Sequence, residues 1–220
     1  MTSTDAPRGV YLLTPDCSDT RRLLAATAAA LAAGVRWLQY RNKRADVATR
    51  VAQARALREL TRAHGAKLVV NDDVNLALDV HADGVHVGRD DPDPHARLAR
   101  AGAALVVGVS CYDDLARAQA ALSAGADYVA FGSVFASPTK PGAVRAPLAL
   151  LTKARAAGMH VVAIGGIGAE NIAQVAAAGA HAAALITAVY DAADPAAAAR
   201  ELISRFRTGE HQHESQRTTV

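Results

Sequence analysis

Residues 172–187 read IAQVAAAGAHAAALIT. Ile172, Val175 and Ala176 recur at three- and four-residue spacing, which predicts an amphipathic helix running to Ala178. Gly179 then offers the left-handed conformation that closes a helix, and Ala182–Thr187 is a short β-rich run. The unit is helix, glycine, strand. It recurs at Ala33-Gly34-Val35 and Ala124-Gly125-Ala126, with helical stretches such as Leu23 through Leu31 and Val51 through Leu60. Counted outward from the quoted stretch, β-rich runs fall at Gly9–Thr14, Trp37–Arg41, Lys67–Asp72, Gly84–Gly88, Leu105–Ser110, Tyr128–Ser133, His160–Gly166 and Ala182–Thr187. The connection after Asp72 is the weakest, because Val74–Val80 has room only for a short helix. Eight βα units in this length predict an α/β protein of the (β/α)8 TIM-barrel class, since a flavodoxin-like open sheet needs fewer strands. The reading places one barrel domain over 1–206. From Arg207 to Val220 the chain is polar and lacks apolar periodicity, so a disordered tail is expected there.

Composition narrows the function classes. Apolar residues make up 51% of the 220, enough for one well-buried core. The 24 Lys and Arg against 21 Asp and Glu leave a net charge of +3 without a basic stripe, and aromatics are only 4%. Neither pattern implies nucleic acid. No apolar run reaches the length of about eighteen residues that a membrane span needs, and the first residues lack the form of a secretory signal. A cytoplasmic location and no membrane partner are expected. Cys17 and Cys111 stand far apart, so neither a disulfide framework nor a zinc site is signalled. A homo-oligomer is compatible with all of this.

In βα barrels chemistry sits where the strands end, so polar residues at those ends come first. The second strand runs into Gln39-Tyr40-Arg41-Asn42-Lys43, and alternation sets Gln39, Arg41 and Lys43 on one face. A solvated strand end with surface ion pairs would read the same way. The third strand ends in Asn71-Asp72-Asp73 and the fourth runs into Gly88-Arg89-Asp90-Asp91. Carboxylates from neighbouring strands can share a hard cation such as Mg²⁺, although acids there can equally cap helices. After the sixth strand, Ser137-Pro138-Thr139-Lys140 offers two hydroxyls and a cation, or a plain surface turn. The seventh ends in Gly165-Gly166-Ile167-Gly168 and the eighth in Ile186-Thr187. Loops at these two positions form the common phosphate site of such barrels, because glycine lets an anion approach the main chain. His86 lies inside a strand run and reads as a polar member of the barrel interior rather than as a catalytic base.

Taken in order, Gln39-Tyr40-Arg41-Asn42-Lys43, Asn71-Asp72-Asp73, Gly84-Val85-His86-Val87-Gly88-Arg89-Asp90-Asp91, Gly108-Val109-Ser110, Ser137-Pro138-Thr139-Lys140-Pro141 and Ala163-Ile164-Gly165-Gly166-Ile167 resemble the thiamine-phosphate synthase family. The resemblance covers roughly Gly9 to Phe206. It implies a transferase of thiamine biosynthesis with small-molecule substrates and Mg²⁺ as cofactor. Arg41, Lys43, Asn71, Ser110 and Lys140 would hold the pyrophosphate of hydroxymethylpyrimidine pyrophosphate, with Arg41, Lys43 and Lys140 acting catalytically on its departure. Gln39 would place the pyrimidine end, and Asp72 and Asp91 would hold the metal. Ser137, Thr139, Gly166, Ile186 and Thr187 would receive the thiazole phosphate. Four positions depart from the usual pattern: Asn42 for glutamate, Arg89 for glutamine, Ser137 for threonine and Thr187 for serine.

The implied chemistry is a dissociative substitution. Pyrophosphate leaves, a pyrimidinylmethyl cation forms, and the thiazole nitrogen captures it without losing a proton, so no general base is required. Two rivals remain at the level of sequence. A thiazole tautomerase-type paralogue would keep the phosphate site but has no need of Asn71, Asp72, Asp91 and Lys140 together. A non-catalytic barrel that binds thiamine phosphate would have no need of metal ligands.

Overall fold

The computed structural model describes residues 6–89, 91–136 and 144–218. Eight parallel strands, β1 (Gly9–Leu13), β2 (Trp37–Tyr40), β3 (Lys67–Asn71), β4 (Gly84–Val87), β5 (Val106–Tyr112), β6 (Tyr128–Phe131), β7 (Val161–Ile164) and β8 (Ala182–Leu185), pair in sequence order and close β1 onto β8. Between them run α1 (Thr20–Ala32), α2 (Val47–Ala63), α3 (Val74–Asp79), α4 (His95–Ala101), α5 (Leu115–Ser123), α6 (Leu148–Ala156) and α7 (Ile172–Ala177), followed by α8 (Thr187–Tyr190) and α9 (Pro195–Thr218). The (β/α)8 architecture is the one expected from the helix, glycine, strand unit. Gly34, Gly125 and Gly179 have φ of 114°, 102° and 96°, the left-handed side that the closing role requires. The weak connection after Asp72 is the six-residue helix α3.

Alternation along the strands divides the core into two shells. Leu12, Leu38, Leu68 and Val85 face outward onto the helices. Tyr11, Leu13, Trp37, Val69, Tyr128 and Val162 fill the bore. The alanines of β8, Ala182 and Ala184, are the small partners that leave room for these large rings. At the amino ends of the strands, carboxylates tie neighbours together. Asp83 accepts the Leu68 amide at 2.8 Å and pairs with Arg58, and Asp127 accepts the Val107 amide at 2.8 Å.

One expectation is corrected. Residues 207–218, read from sequence as the start of a disordered tail, continue α9. Gly209 is buried where a side chain would press on the Ala173 carbonyl, and His213 Nδ1 donates to the Ala177 carbonyl at 3.1 Å. The helix therefore docks on α7 through its backbone and a polar side chain, contacts that leave no apolar rhythm in the sequence.

At the amino-terminal face two histidine rings stack, His160 on His181, with centroids 4.0 Å apart. His160 Nε2 donates to the Pro7 carbonyl at 2.7 Å, and His181 Nδ1 accepts the Val161 amide at 3.0 Å, which a protonated ring could not do. Burial, followed for His160 by Arg8 and Arg155, pushes its pKa down to about 4; burial and then the His160 ring push His181 lower, with Arg155, Arg8 and His213 adding to the effect. Because these folded-state values lie below the unfolded value near 6.5, the unfolded chain takes up protons first as pH falls. The stabilisation is complete above about pH 6.5 and is lost as pH falls from there, down to about pH 4 for His160 and to about pH 2 for His181, at up to roughly 1.4 kcal/mol per pH unit for each ring. Thermal unfolding followed over that range should show a steep fall, to which buried His86 also contributes. In a His160→Gln/His181→Gln variant the fall should be shallower, and an unchanged slope would remove the pair as its source.

Candidate active site

The site is built at the carboxyl end of the barrel, where the strands hand over to loops. Thr14, just past β1, donates from Oγ1 to the Arg41 carbonyl and accepts the Arg41 amide, both at 2.8 Å, which fixes where β2 ends. Asp16 follows and anchors the cationic segment: one of its oxygens accepts the Lys43 amide at 2.7 Å, and both face Arg41 Nη1 at 3.2 Å. Lys43 Nζ in turn lies 2.9 Å from Asp72 Oδ2. The Lys43 side chain is 57% exposed, so its ion pair is worth at most about 1 kcal/mol and an incoming polyanion can displace it at little cost.

Asp72 has φ of 63°, a left-handed conformation rare outside glycine and tolerated by aspartate. That turn lets its amide reach the His86 carbonyl at 2.8 Å and frees Asp73 to cap α3, accepting the Leu76 amide at 2.9 Å. Asp73 is therefore a helix cap. The Asp72 carboxyl is shifted upward by burial and by the Asp91 carboxylate beside it, against the pull of Lys43. Asp91 is set by the Gly88 amide, which donates to its Oδ2 at 2.6 Å. Two hard oxygen donors side by side fit a small divalent cation.

Arg41, Lys43, Asn71 and Asp72 line one cleft of about 60 Å³, with Arg50 of α2 across from them. Arg50 Nε is buried without a hydrogen-bond partner among the described residues. Neither Asp16 nor Arg50 was singled out from sequence. Asn42, where a family carboxylate is usual, is buried and donates from Nδ2 to the Cys17 carbonyl at 2.8 Å and to Gln53 Oε1 at 3.0 Å. An amide can make both bonds, a carboxylate neither, so this departure serves the fold of the loop. Arg89 stacks over the Tyr112 ring, 4.6 Å from its centroid.

Deeper in the bore, polar side chains join across strands. Gln39 Nε2 donates to Tyr11 Oη at 2.9 Å, Tyr11 Oη meets Tyr128 Oη at 3.1 Å, Tyr128 Oη meets His86 Nδ1 at 3.0 Å, and His86 Nε2 meets Ser110 Oγ at 2.9 Å. Burial holds His86 down to about 4 and both phenols well above their usual value, so all three are neutral near pH 7. His86 is thus an interior polar residue. Gly108 makes this possible, since a side chain there would collide with the Tyr128 ring. Arg117 bridges the ends of β4 and β5, donating from Nε to the Ser110 carbonyl at 2.9 Å and from Nη2 to that of Gly88 at 3.2 Å.

On the opposite side, the ends of β6, β7 and β8 adjoin. Gly166, with φ of 62°, lies against the Ala136 carbonyl so closely that no Cβ fits. Asn171 supports the turn, donating from Nδ2 to the Gly166 carbonyl and accepting the Gly168 amide, both at 2.9 Å. Ile186 precedes α8, and Thr187, its first residue, is exposed. Ser137, Thr139 and Lys140 lie outside the described residues. The residues flanking them are tied together through Ser133, whose amide donates to the Val144 carbonyl and whose carbonyl accepts the Ala146 amide, each at 3.0 Å.

The family model described as thiamine monophosphate synthase matches residues 10–189. The chain belongs to the thiamine monophosphate synthase family. It is 56% identical over 207 residues to the thiamine-phosphate synthase of Bordetella pertussis, covering 91% of this chain and 95% of that one. The corresponding protein of Chromobacterium violaceum is 55% identical over 198 residues, covering 90% and 96%. Among solved structures, thiamine phosphate pyrophosphorylase from Pyrococcus furiosus superimposes with a TM-score of 0.81 at 34% identity, covering 91% and 96%. Membership in the thiamine monophosphate synthase family makes the chain a transferase, as the ordered motifs imply.

Proposed function

We propose that the chain joins hydroxymethylpyrimidine pyrophosphate to thiazole phosphate, releasing pyrophosphate and thiamine phosphate, at the mouth of a single barrel domain. The observation that carries this reading is the convergence of Arg41, Lys43, Asn71 and Asp72 on one cleft. Its cations suit the oxygens of a diphosphate, and Ser110 and Gln39 stand at the two ends of the hydrogen-bonded chain in the bore. Charge accumulates on the leaving oxygen as the carbon–oxygen bond breaks, so fixed cations stabilise the transition state more than the ground state. Arg41 and Lys43 take that role, with Lys140 joining them by its place in the motif. Gln39 orients the pyrimidine. Gly166, Ile186 and Thr187 supply main-chain donors for the thiazole phosphate, with the Ser137 and Thr139 hydroxyls, which holds the attacking nitrogen in position.

Asp72 and Asp91 would hold Mg²⁺. When bound, the metal neutralises negative charge on the diphosphate. The two rival activities find no support: a tautomerase leaves the carboxylate pair without a use, and the relatives carry the name of the synthase.

Mixing both substrates with the protein, with and without magnesium, and measuring pyrophosphate and thiamine phosphate tests the reading. Equal release of both products only when magnesium is present is expected; no product under any condition would refute it. Asp91→Asn should keep the bond from the Gly88 amide, and hence the fold, while shifting the magnesium dependence of activity to concentrations about tenfold higher or more, since an anionic ligand has been replaced by a neutral one. A superimposable magnesium titration would take Asp91 out of the metal site.

A further inference from the structure

The chain of hydrogen bonds through the bore runs from β2 to β1, across to β6, and on to β4 and β5. Its two ends, Gln39 and Ser110, are the residues assigned above to the pyrimidine and to the diphosphate. Counting protons fixes its direction. Tyr11 accepts the Gln39 amide, so its single hydroxyl hydrogen goes to its other neighbour, Tyr128. Tyr128, having accepted, must donate to His86 Nδ1. A ring nitrogen that accepts carries no proton, so the His86 hydrogen resides on Nε2 and is donated to Ser110 Oγ. The Ser110 hydroxyl has then received its bond, and its own hydrogen is left to point into the site.

We propose that Tyr11, Tyr128 and His86 are positioning residues of the reaction: a one-way relay, set by the Gln39 amide, that presents the Ser110 hydroxyl to the diphosphate as a donor. The proposal rests on the functional reading above for what Ser110 and Gln39 touch. Run in reverse, the same five residues would send the Ser110 hydrogen into His86 and turn lone pairs toward the phosphate oxygens, which repel. The relay also fixes the Gln39 amide, since one N–H is held by Tyr11 and the carbonyl is thereby aimed. Both ends of one substrate are then read by groups whose polarity is decided in the core, out of reach of solvent. Linked bonds of this kind polarise one another and hold a single arrangement in a low-dielectric interior.

Nitrogen-15 NMR of the histidine-labelled protein reads the tautomer directly, with the His86 resonances assigned by their loss in His86→Asn. The expected result is a neutral ring protonated at Nε2. A ring protonated at Nδ1 would reverse the relay and overturn the proposal. Gln39→Met removes the group that sets the direction while leaving the three rings in place, and the Nδ1-protonated form should then appear beside the other; a tautomer unmoved by this change would show that Gln39 does not govern it. Tyr128→Phe keeps the ring against Gly108 but cuts the relay. Its affinity for the pyrimidine pyrophosphate, measured by direct titration, should fall about tenfold, as for loss of one bond to a charged group, with thiazole phosphate affinity unchanged. Equal losses for both ligands, or none, would reduce Tyr128 to packing. Failure of the wild-type protein to bind the pyrimidine pyrophosphate would overturn the functional reading and the positioning role with it, and would leave the tautomer result intact.

Discussion

Replacing the ring methyl of the pyrimidine substrate by trifluoromethyl should slow the chemical step by roughly a thousandfold or more, about 4 kcal/mol on the barrier. If pyrophosphate departs before the thiazole nitrogen attacks, positive charge must gather on the pyrimidine methylene, and an electron-rich ring has to bear it. On the proposed reading Arg41 and Lys43 act on the departing anion and, being themselves positive, do not share that charge. The burden therefore falls on the substrate ring, and an inductive withdrawal of similar bulk strikes where the protein has least remedy. Binding should change little, because the diphosphate end is untouched. Single-turnover rates are required, since slow product release would hide the chemistry in steady state. A rate close to that of the natural substrate, with binding intact, would replace the dissociative reading by direct displacement.

Gly166→Ala should cost about 2–4 kcal/mol of stability, combining left-handed backbone strain with a collision that must move main chain. The collision is with the Ala136 carbonyl and the Phe135 carbonyl carbon, neither of which can swing aside as a flexible side chain would. The neighbouring bond from the Phe135 amide to the Gly165 carbonyl, 2.9 Å long, would be strained by the same shift. For a protein of this size the thermal midpoint should fall by very roughly 10 °C. Affinity for thiazole phosphate should drop by more than tenfold, whereas the pyrimidine pyrophosphate, whose proposed site is the cleft of Arg41 and Lys43, should lose much less. Calorimetric titration of the two ligands into the folded variant decides the matter, and equal affinities to wild type for thiazole phosphate would place that anion elsewhere.

Most of the barrel was legible because its unit repeats and because strand ends announce themselves by a change from apolar to polar residues. Arg41, Asn71 and Asp72 stand out on that signal alone and line one cleft with Lys43, whereas Gln39 turns into the bore and bonds Tyr11. What the alternation could not convey is register between strands. Tyr11 and Tyr128 read as ordinary strand aromatics, and only their opposition across the bore makes them partners of Gln39 and His86. Asp16 lies in a loop with no periodicity, and Arg50 resembles any arginine on a helix face until α2 is laid against β3. Asn42 is different again: sequence shows only its departure from the family pattern, and the fold shows the neutral amide holding Cys17 and Gln53. The end of α9 is not legible because Gly209 docks through main chain and His213 through a polar side chain.

The seam between β1 and β8 has a consequence for how the protein is made. Val10 pairs with Ala183, and α9 lies against α1 and β1, so the strand that leaves the ribosome first waits for a partner some 170 residues later in the chain. Until then β1 presents an unpaired edge and the bore remains open along one side, with Tyr11 uncovered. Native contacts that span nearly the whole chain delay completion of the fold. The growing barrel therefore carries an open edge on the first made of its eight strands, and that exposure to aggregation ends only when β8 and α9 arrive to shut the cylinder.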